Sequence, residues 1–143
     1  MELVKIKDDR KTLYMDLLLI ADEDVRMIEK YLSRGEMFAL CDGDLKALCV
    51  VTEEGPGVYE IKNFVTVPKY QRQGYGQRLI SLIADHYKHL VGTGDSPATL
   101  LFYEKCGFQK SHTVKNFFRD HYDHPIYEDG KQLADMIYLK RSL

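Results

Sequence analysis

Hydrophobic and polar positions alternate from the first residues of the chain. In Leu3 to Lys7 the apolar Val4 and Ile6 alternate with the charged Lys5 and Lys7, and that period of two predicts a strand. Asp8 and Asp9 offer N-cap oxygens for a helical region in which Leu13, Leu17 and Ile20 share one face. Asp22 to Asp24 restart the pattern as a second helix, with Val25, Ile28, Tyr31 and Leu32 apolar and Gly35 as its stop. These stripes read as core packing. Met37 to Cys41 and Leu45 to Thr52 flank Asp42-Gly43-Asp44, a strong hairpin signal. A second turn, Glu53 to Gly57, leads into Val58 to Val67, the third strand of a meander. Pro68 ends it, because proline donates nothing to a ladder.

The period then changes. From Gly76 onward Leu79, Ile80, Ile83, Ala84 and Tyr87 recur at helical spacing, and Leu90 to Thr93 is a short apolar strand. Ser96 as N-cap, Pro97 at the first helical position and Gly107 just past the end bracket a compact helix. Phe108 onward and Ala134 to Lys140 form a final strand pair, joined by a long polar and aromatic connection, His112 to Gln132. The order β, α(α), β, β, β, α, β, α, β, β predicts a mixed α/β fold. Its sheet is mostly antiparallel with flanking helices, and Val58 to Thr93 supplies one right-handed parallel crossover.

Composition narrows the class. The 143 residues fit one domain, 1–143, with 45% hydrophobic and 29% charged residues, as in soluble globular proteins. The net charge of -2 argues against nucleic acid as a partner. Cys41, Cys49 and Cys106 are an odd, unpaired set that predicts no disulfide framework and a reducing, cytoplasmic setting. Met1-Glu2-Leu3 lacks the basic start and apolar run of a signal peptide. The longest aliphatic run, Leu17 to Ala21, is too short to span a bilayer, so no membrane partner is expected.

The chemistry concentrates in Val65-Thr66-Val67-Pro68-Lys69-Tyr70-Gln71-Arg72-Gln73-Gly74-Tyr75-Gly76, between a strand and a helix. Unpaired amides at a helix N-terminus favour an anion, and Gly74 and Gly76 let a pyrophosphate approach the backbone. Arg72 and Lys69 add positive charge. A Rossmann fingerprint would need glycine where Leu79 stands, and the Gly-Lys-Ser/Thr of a P-loop is missing. A lone Gly-x-Gly also reads simply as a tight helix start.

Gln71-x-x-Gly74-x-Gly76 after Val65-Thr66-Val67-Pro68 resembles the acyl-CoA-binding signature of the GNAT acetyltransferases. Ala98 to Phe108, with Phe102-Tyr103-Glu104-Lys105-Cys106-Gly107-Phe108, resembles the same family's second signature. The two stand in the family's order, and the match covers Val58 to Phe108 closely and the rest by strand order. The resemblance implies an N-acyltransferase that moves an acetyl group from acetyl-CoA to a primary amine of a small molecule or peptide, without a metal. A homodimer is compatible with it. The rival reading is a non-catalytic coenzyme A sensor or interaction module with the same fold. A relative of tRNA-acetylating toxins is disfavoured by the acidic balance.

The resemblance also implies roles for residues. Backbone groups of Val65 and Val67 would pair with the pantetheine arm, and the Val65-Thr66-Val67 strand end and the amides of Gln71, Arg72, Gln73, Gly74, Tyr75 and Gly76 would hold the cofactor. A bulge in the Val65 strand would aim an amide at the thioester carbonyl, and parting of that strand from Leu90 to Thr93 would open the slot. Tyr103 matches the tyrosine that protonates the departing thiolate; its alternative is a packed aromatic. Glu60 stands where one branch of the family keeps a general base, on a face that strand alternation shares with Lys62 and Phe64. It could equally pair with Lys62, with water as base. The family's frequent Asn is Ser96 here, a pantetheine contact or a plain N-cap, and Asp95 beside it is a candidate for the amine. His121-Tyr122-Asp123-His124 supplies only part of a metal site and reads better as a polar loop bordering the acceptor pocket, opposite Tyr14 and Met15.

Overall fold

The computed structural model describes residues 1–87, 89–94, 97–128 and 131–142. Strands β1 (Glu2–Ile6), β2 (Glu36–Asp42), β3 (Asp44–Gly55), β4 (Val58–Thr66), β5 (His89–Gly94), β6 (Gln109–Val114) and β9 (Met136–Ser142) form one sheet in the order β1-β2-β3-β4-β5-β9-β6. Every neighbouring pair is antiparallel except β4 and β5. The crossover that makes them parallel is α3 (Tyr75–His86), as the pattern predicts.

Alternation along the central strands sorts side chains to two faces. Phe38, Leu40, Cys49 and Leu139 pack with Leu79, Ile80 and Ile83 of α3, and with α4 (Pro97–Lys105). Met37, Ala39, Leu48, Val50 and Val65 pack on the other face against α1 (Met15–Ala21) and α2 (Val25–Leu32), through Leu18 and Ile28. Each fully buried Leu or Ile contributes about 1.5–3 kcal/mol relative to exposure.

The first helical region departs from the expected face. Asp8–Tyr14 is a 3-10 segment, and Leu13 and Ile20 are 68% and 55% exposed; Leu18 is the buried residue. The tighter turn rotates the stripe, since three residues per turn replace 3.6. Asp8 does not cap but pairs with Lys11 at 2.8 Å. The buried Lys11 Nζ donates to the carbonyls of Leu32 and Gly35, tying this segment to the end of α2. Asp24 caps α2 as its side chain accepts from the amides of Arg26 and Met27.

The connection from 112 to 132 is not featureless. It holds α5 (Phe117–His121) and a two-stranded hairpin of β7 (Tyr127–Glu128) and β8 (Lys131–Gln132). Phe118, Ile126 and Leu133 give it a small core of its own. The three cysteines are free thiols. No helix among the described residues is long and apolar enough to cross a membrane.

Candidate active site

The parallel register between β4 and β5 lasts three residues, Val58 to Glu60 against His89 to Val91. Beyond it β5 continues on β9, while β4 runs on beside β3 with its other edge unpaired by β5. The strands have parted, and a cleft of about 370 Å³ lies there, floored by Ile61 to Thr66. Gln71, Thr99 and Tyr103 line it from the α3 and α4 side; Asp22, Phe118 and Tyr122 line it from the other.

Within β4 the register slips: Val50 opposes Asn63 but Val51 opposes Ile61, so Lys62 is an extra residue. This is the bulge expected in the Val65 strand. It also corrects the expected faces, because an extra residue inverts all that follows. Phe64 lies with the α3 cluster and packs against Phe102, with ring centres 5.4 Å apart and planes tilted by 42°. Glu60 and Lys62 therefore do not share its face.

The ladder revises which backbone groups are free. The Val67 amide donates to the Lys46 carbonyl at 2.8 Å, and the Val67 carbonyl accepts from the Tyr70 amide. Val67 opposite Lys46 is thus a hydrogen-bonded pair, and so by alternation is Val65 opposite Leu48. Val65 and Val67 turn their amides to β3, away from the slot. The groups on the open edge are those of Phe64 and Thr66. Strand position was legible in the sequence; the phase of the ladder was not.

After a short 3-10 turn, Pro68–Tyr70, the chain bends into α3 through two left-handed residues, Arg72 (φ 63°) and Gly74 (φ 85°). The Gln71 amide donates to the Pro68 carbonyl at 3.3 Å. Among the described residues the amides of Arg72, Gln73 and Gly74 donate to no backbone acceptor, and those opening α3 are unpaired by helix geometry. The turn is exposed, as an anion cradle must be. The two glycines differ. A Cβ on Gly74 would meet nothing within 4 Å, so its need is conformational, whereas one on Gly76 would press on Thr66 Oγ1 at 3.3 Å and the Phe102 ring at 3.4 Å. Tyr70 and Tyr75 flank the turn, with Lys46 over the Tyr70 ring at 3.5 Å.

Tyr103 is 4% exposed yet lines the cleft. A Cβ on Gly92 of β5 would lie 2.7–2.9 Å from its ring, so that glycine makes room for the tyrosine. Phe108 packs beside it at 5.1 Å. Helix α4 ends immediately after, with Gly107 at φ 92° and the Phe108 amide bonded back to the Tyr103 carbonyl at 3.0 Å. Gly92 went unnoticed in the sequence because the spacing that matters is across the fold. Ser96 and Asp95 lie outside the described residues.

Glu60 is 6% exposed and paired with Lys62 at 2.9 Å; Lys62 also reaches Glu54 at 3.1 Å, and Arg34 forks onto Glu54 at 2.6 and 3.2 Å. Burial raises the Glu60 carboxyl above its ordinary range, opposed by Lys62. Arg34, helped by Lys62, lowers Glu54 to about 2. Burial works against the Lys62 charge, but Glu60 and Glu54 outweigh it and hold the amine above its usual range. Lys62 lines the cleft; Glu60 stands behind it.

From the floor, the Asn63 side-chain amide donates to the Leu18 carbonyl and to the Tyr31 hydroxyl, both at 3.0 Å, toward the opposite wall. Tyr31 and Tyr122 each reach Asp22 at 3.2 Å. Tyr14 and Met15 pack in the α1–α2 core instead, and the cleft takes Ile20 to Glu23 from that segment. Of the 121–124 loop, Tyr122 enters the cleft. Asp123 and His124 converge with Asp24, their ligand atoms within 4.8 Å of one another, but Arg26 already meets Asp123 there at 2.6 Å.

Comparison with known proteins fixes the class. Residues 33–110 match the acetyltransferase (GNAT) domain model. An uncharacterized N-acetyltransferase, YvbK, of Bacillus subtilis (strain 168) is 36% identical over 132 residues, spanning 87% of this chain and 85% of the relative. The fold matches a GNAT family acetyltransferase from Elizabethkingia anophelis with acetyl-CoA bound, at 33% identity and a TM-score of 0.88 over 99% of this chain and 97% of that one. A Bacillus subtilis acetyltransferase in complex with CoA matches at 31% identity and a TM-score of 0.84, again over 99% and 97%. The chain belongs to the GNAT acetyltransferases, and is an acyl-CoA-dependent N-acetyltransferase.

Proposed function

We propose that this chain transfers an acetyl group from acetyl-CoA to a primary amine by direct attack on the thioester, in the cleft where β4 and β5 part. The observation that carries this reading is the convergence on one cleft of Gln71, where the exposed turn into α3 begins, the open edge of β4 and Tyr103. The amides of Arg72 to Gly76 and the first turn of α3 hold the pyrophosphate. Backbone groups of Phe64 and Thr66 take the pantetheine arm as an added strand would. The bulge at Lys62 directs a β4 amide toward the developing oxyanion.

The neutral amine nitrogen attacks the thioester carbonyl carbon, and the C–S bond breaks as the carbonyl re-forms. The Tyr103 hydroxyl gives its proton to the departing thiolate; phenol, near 10, is a feasible donor to a thiol of about 8.5. The excess proton on the nitrogen leaves to water. Glu60 sits behind Lys62 in an intact ion pair, which supports a positioning role over a direct one.

Thiol release from acetyl-CoA, followed with and without a panel of primary amines, tests the reading. Amine-dependent release with one acetylated product per thiol is expected. Coenzyme A bound without turnover on any amine would overturn it in favour of a sensor.

A further inference from the structure

Asp22 is a partly buried carboxylate facing the cleft, and among the described residues no Lys, Arg or His lies within ion-pair distance of it. Its carboxylate neighbours do have partners: Glu23 has His124 at 3.7 Å and Asp24 has Arg26 at 3.8 Å. What surrounds Asp22 is a set of neutral donors. The Asp24 amide reaches Oδ1 at 3.2 Å, the Tyr31 hydroxyl reaches Oδ2 at 3.2 Å, and the Tyr122 hydroxyl spans both oxygens at 3.2 and 3.3 Å.

Proton direction along this network is determined by Asn63. Its amide nitrogen donates to the Tyr31 oxygen, so the single Tyr31 proton points to Asp22. Three donors leave a carboxylate, with its four or so lone-pair positions, room for another partner. Asn63 lines the same cleft, and its own Oδ1, shielded from water, has no hydrogen-bond partner. Burial pushes the Asp22 carboxyl up, as expected of a desolvated anion lacking a counter-ion. Phe118 and Tyr122 add aromatic faces that attract cations. One wall of the cleft therefore presents an oriented anion with aromatic neighbours and, among the described residues, no cation paired with it.

We propose that Asp22, oriented by Tyr31 and Tyr122 and beside Asn63, is a subsite for a second, non-reacting ammonium of the acceptor. The acceptor class is thus an amine carrying a further positive charge. This rests on the transferase reading above. The attacking nitrogen must be neutral, and a carboxylate beside it would hold it protonated. Asp22 accordingly serves the other end of the molecule, and Tyr122 brings the 117–136 segment into the recognition of charge.

The test compares α,ω-diamines of three to eight carbons with n-alkylamines of the same length, using wild type, Asp22→Asn and Tyr122→Phe. Wild type should favour the diamine whose length fits, by about 10–100-fold in KM, the worth of a hydrogen bond to a charged group. Asp22→Asn should remove that preference by raising the diamine KM to the monoamine value, and Tyr122→Phe should weaken it in part. Coenzyme A stabilisation of each variant checks the fold. Equal use of diamines and monoamines by wild type would overturn the subsite and leave the transferase reading intact. So would a fall in kcat for both amine types in Asp22→Asn, which would make Asp22 a base. Absence of turnover with every amine would remove both readings together.

Discussion

Between Ile61 and Tyr103 the cleft is lined by one strand, the start of a turn and one helix, and two nearby glycines, Gly76 and Gly92, leave room for the Phe102 and Tyr103 rings. On the side of Asp22 and Tyr122 it is walled by side chains one hundred residues apart in sequence. The first wall lies inside the segment that matches the GNAT domain, residues 33–110; Asp22, Tyr31 and Tyr122 lie outside it. In the proposed mechanism backbone amides serve one unvarying ligand, a pyrophosphate on a thiol arm, so the chemistry can sit in a contiguous run. In the proposed subsite the acceptor amine is recognised by side chains that only tertiary packing assembles. On the proposed reading the cofactor wall belongs to the class of enzyme, and the acceptor wall to the individual enzyme.

If that division holds, damage to the cofactor wall should be independent of which amine is offered. The largest loss is expected from Gly74→Glu, which forces a side chain into the left-handed region at φ 85° and puts an anion where the phosphate belongs. Stabilisation by coenzyme A, about 2.7 kcal/mol at a hundredfold excess over Kd, should vanish, with activity lost on every amine. A folded variant with an undiminished melting shift would move the phosphate site elsewhere. Tyr103→Phe should come next: kcat lower by about 10²–10⁴ on all amines, with coenzyme A affinity kept. Full activity with unchanged stability would leave catalysis to backbone groups alone.

Much of the first wall was legible in the chain. The turn from Gln71 to Gly76 and the strand–helix–strand order follow from local spacing and periodicity, whereas Tyr103 stands out through the resemblance of Phe102 to Phe108 to the second GNAT signature. What escaped has a common cause. The bulge at Lys62 reverses the face of Phe64, and the Lys46–Val67 hydrogen bond turns the amides of Val65 and Val67 to β3. A strand pattern shows alternation but carries no mark of where a residue is inserted or which edge a given amide faces. The burial of Leu18 in place of Leu13 and Ile20 has the same character, since a 3-10 turn shifts the phase. Gly92 beside Tyr103, and Asp22 beside Tyr31 and Tyr122, are neighbours only in the fold.

Gly92→Ala probes that hidden contact with a smaller effect. Its methyl would lie within 2.9 Å of three Tyr103 ring atoms, and overpacking of this kind costs about 1–3 kcal/mol of stability. Denaturant unfolding should show the loss, with kcat lowered alongside as the ring shifts. Unchanged stability and rate would mean that Tyr103 is free to move.

The smallest effect is expected behind the cleft floor, at the Glu54 partner of Lys62. Glu54 has a folded pKa of about 2 against an ordinary 4.5, chiefly through Arg34. A depressed carboxylate contributes stability that is present above its unfolded pKa and lost as pH falls through the folded value. Glu54→Gln should therefore cost about 1 kcal/mol or less near neutrality. The difference from wild type should close between about 4.5 and about 2, read from unfolding curves across that range. A difference constant with pH would detach Glu54 from the Arg34 and Lys62 charges.

The most direct measurement is the amide spectrum of uniformly labelled protein titrated with coenzyme A. If the cofactor lies between the parted strands, the largest perturbations should fall on Phe64, Thr66 and the amides of Arg72 to Gly76. Val65 and Val67, hydrogen-bonded toward β3, should move less. Perturbations centred outside β4 and the start of α3, with that turn unmoved, would contradict the placement of the cofactor and the mechanism built on it.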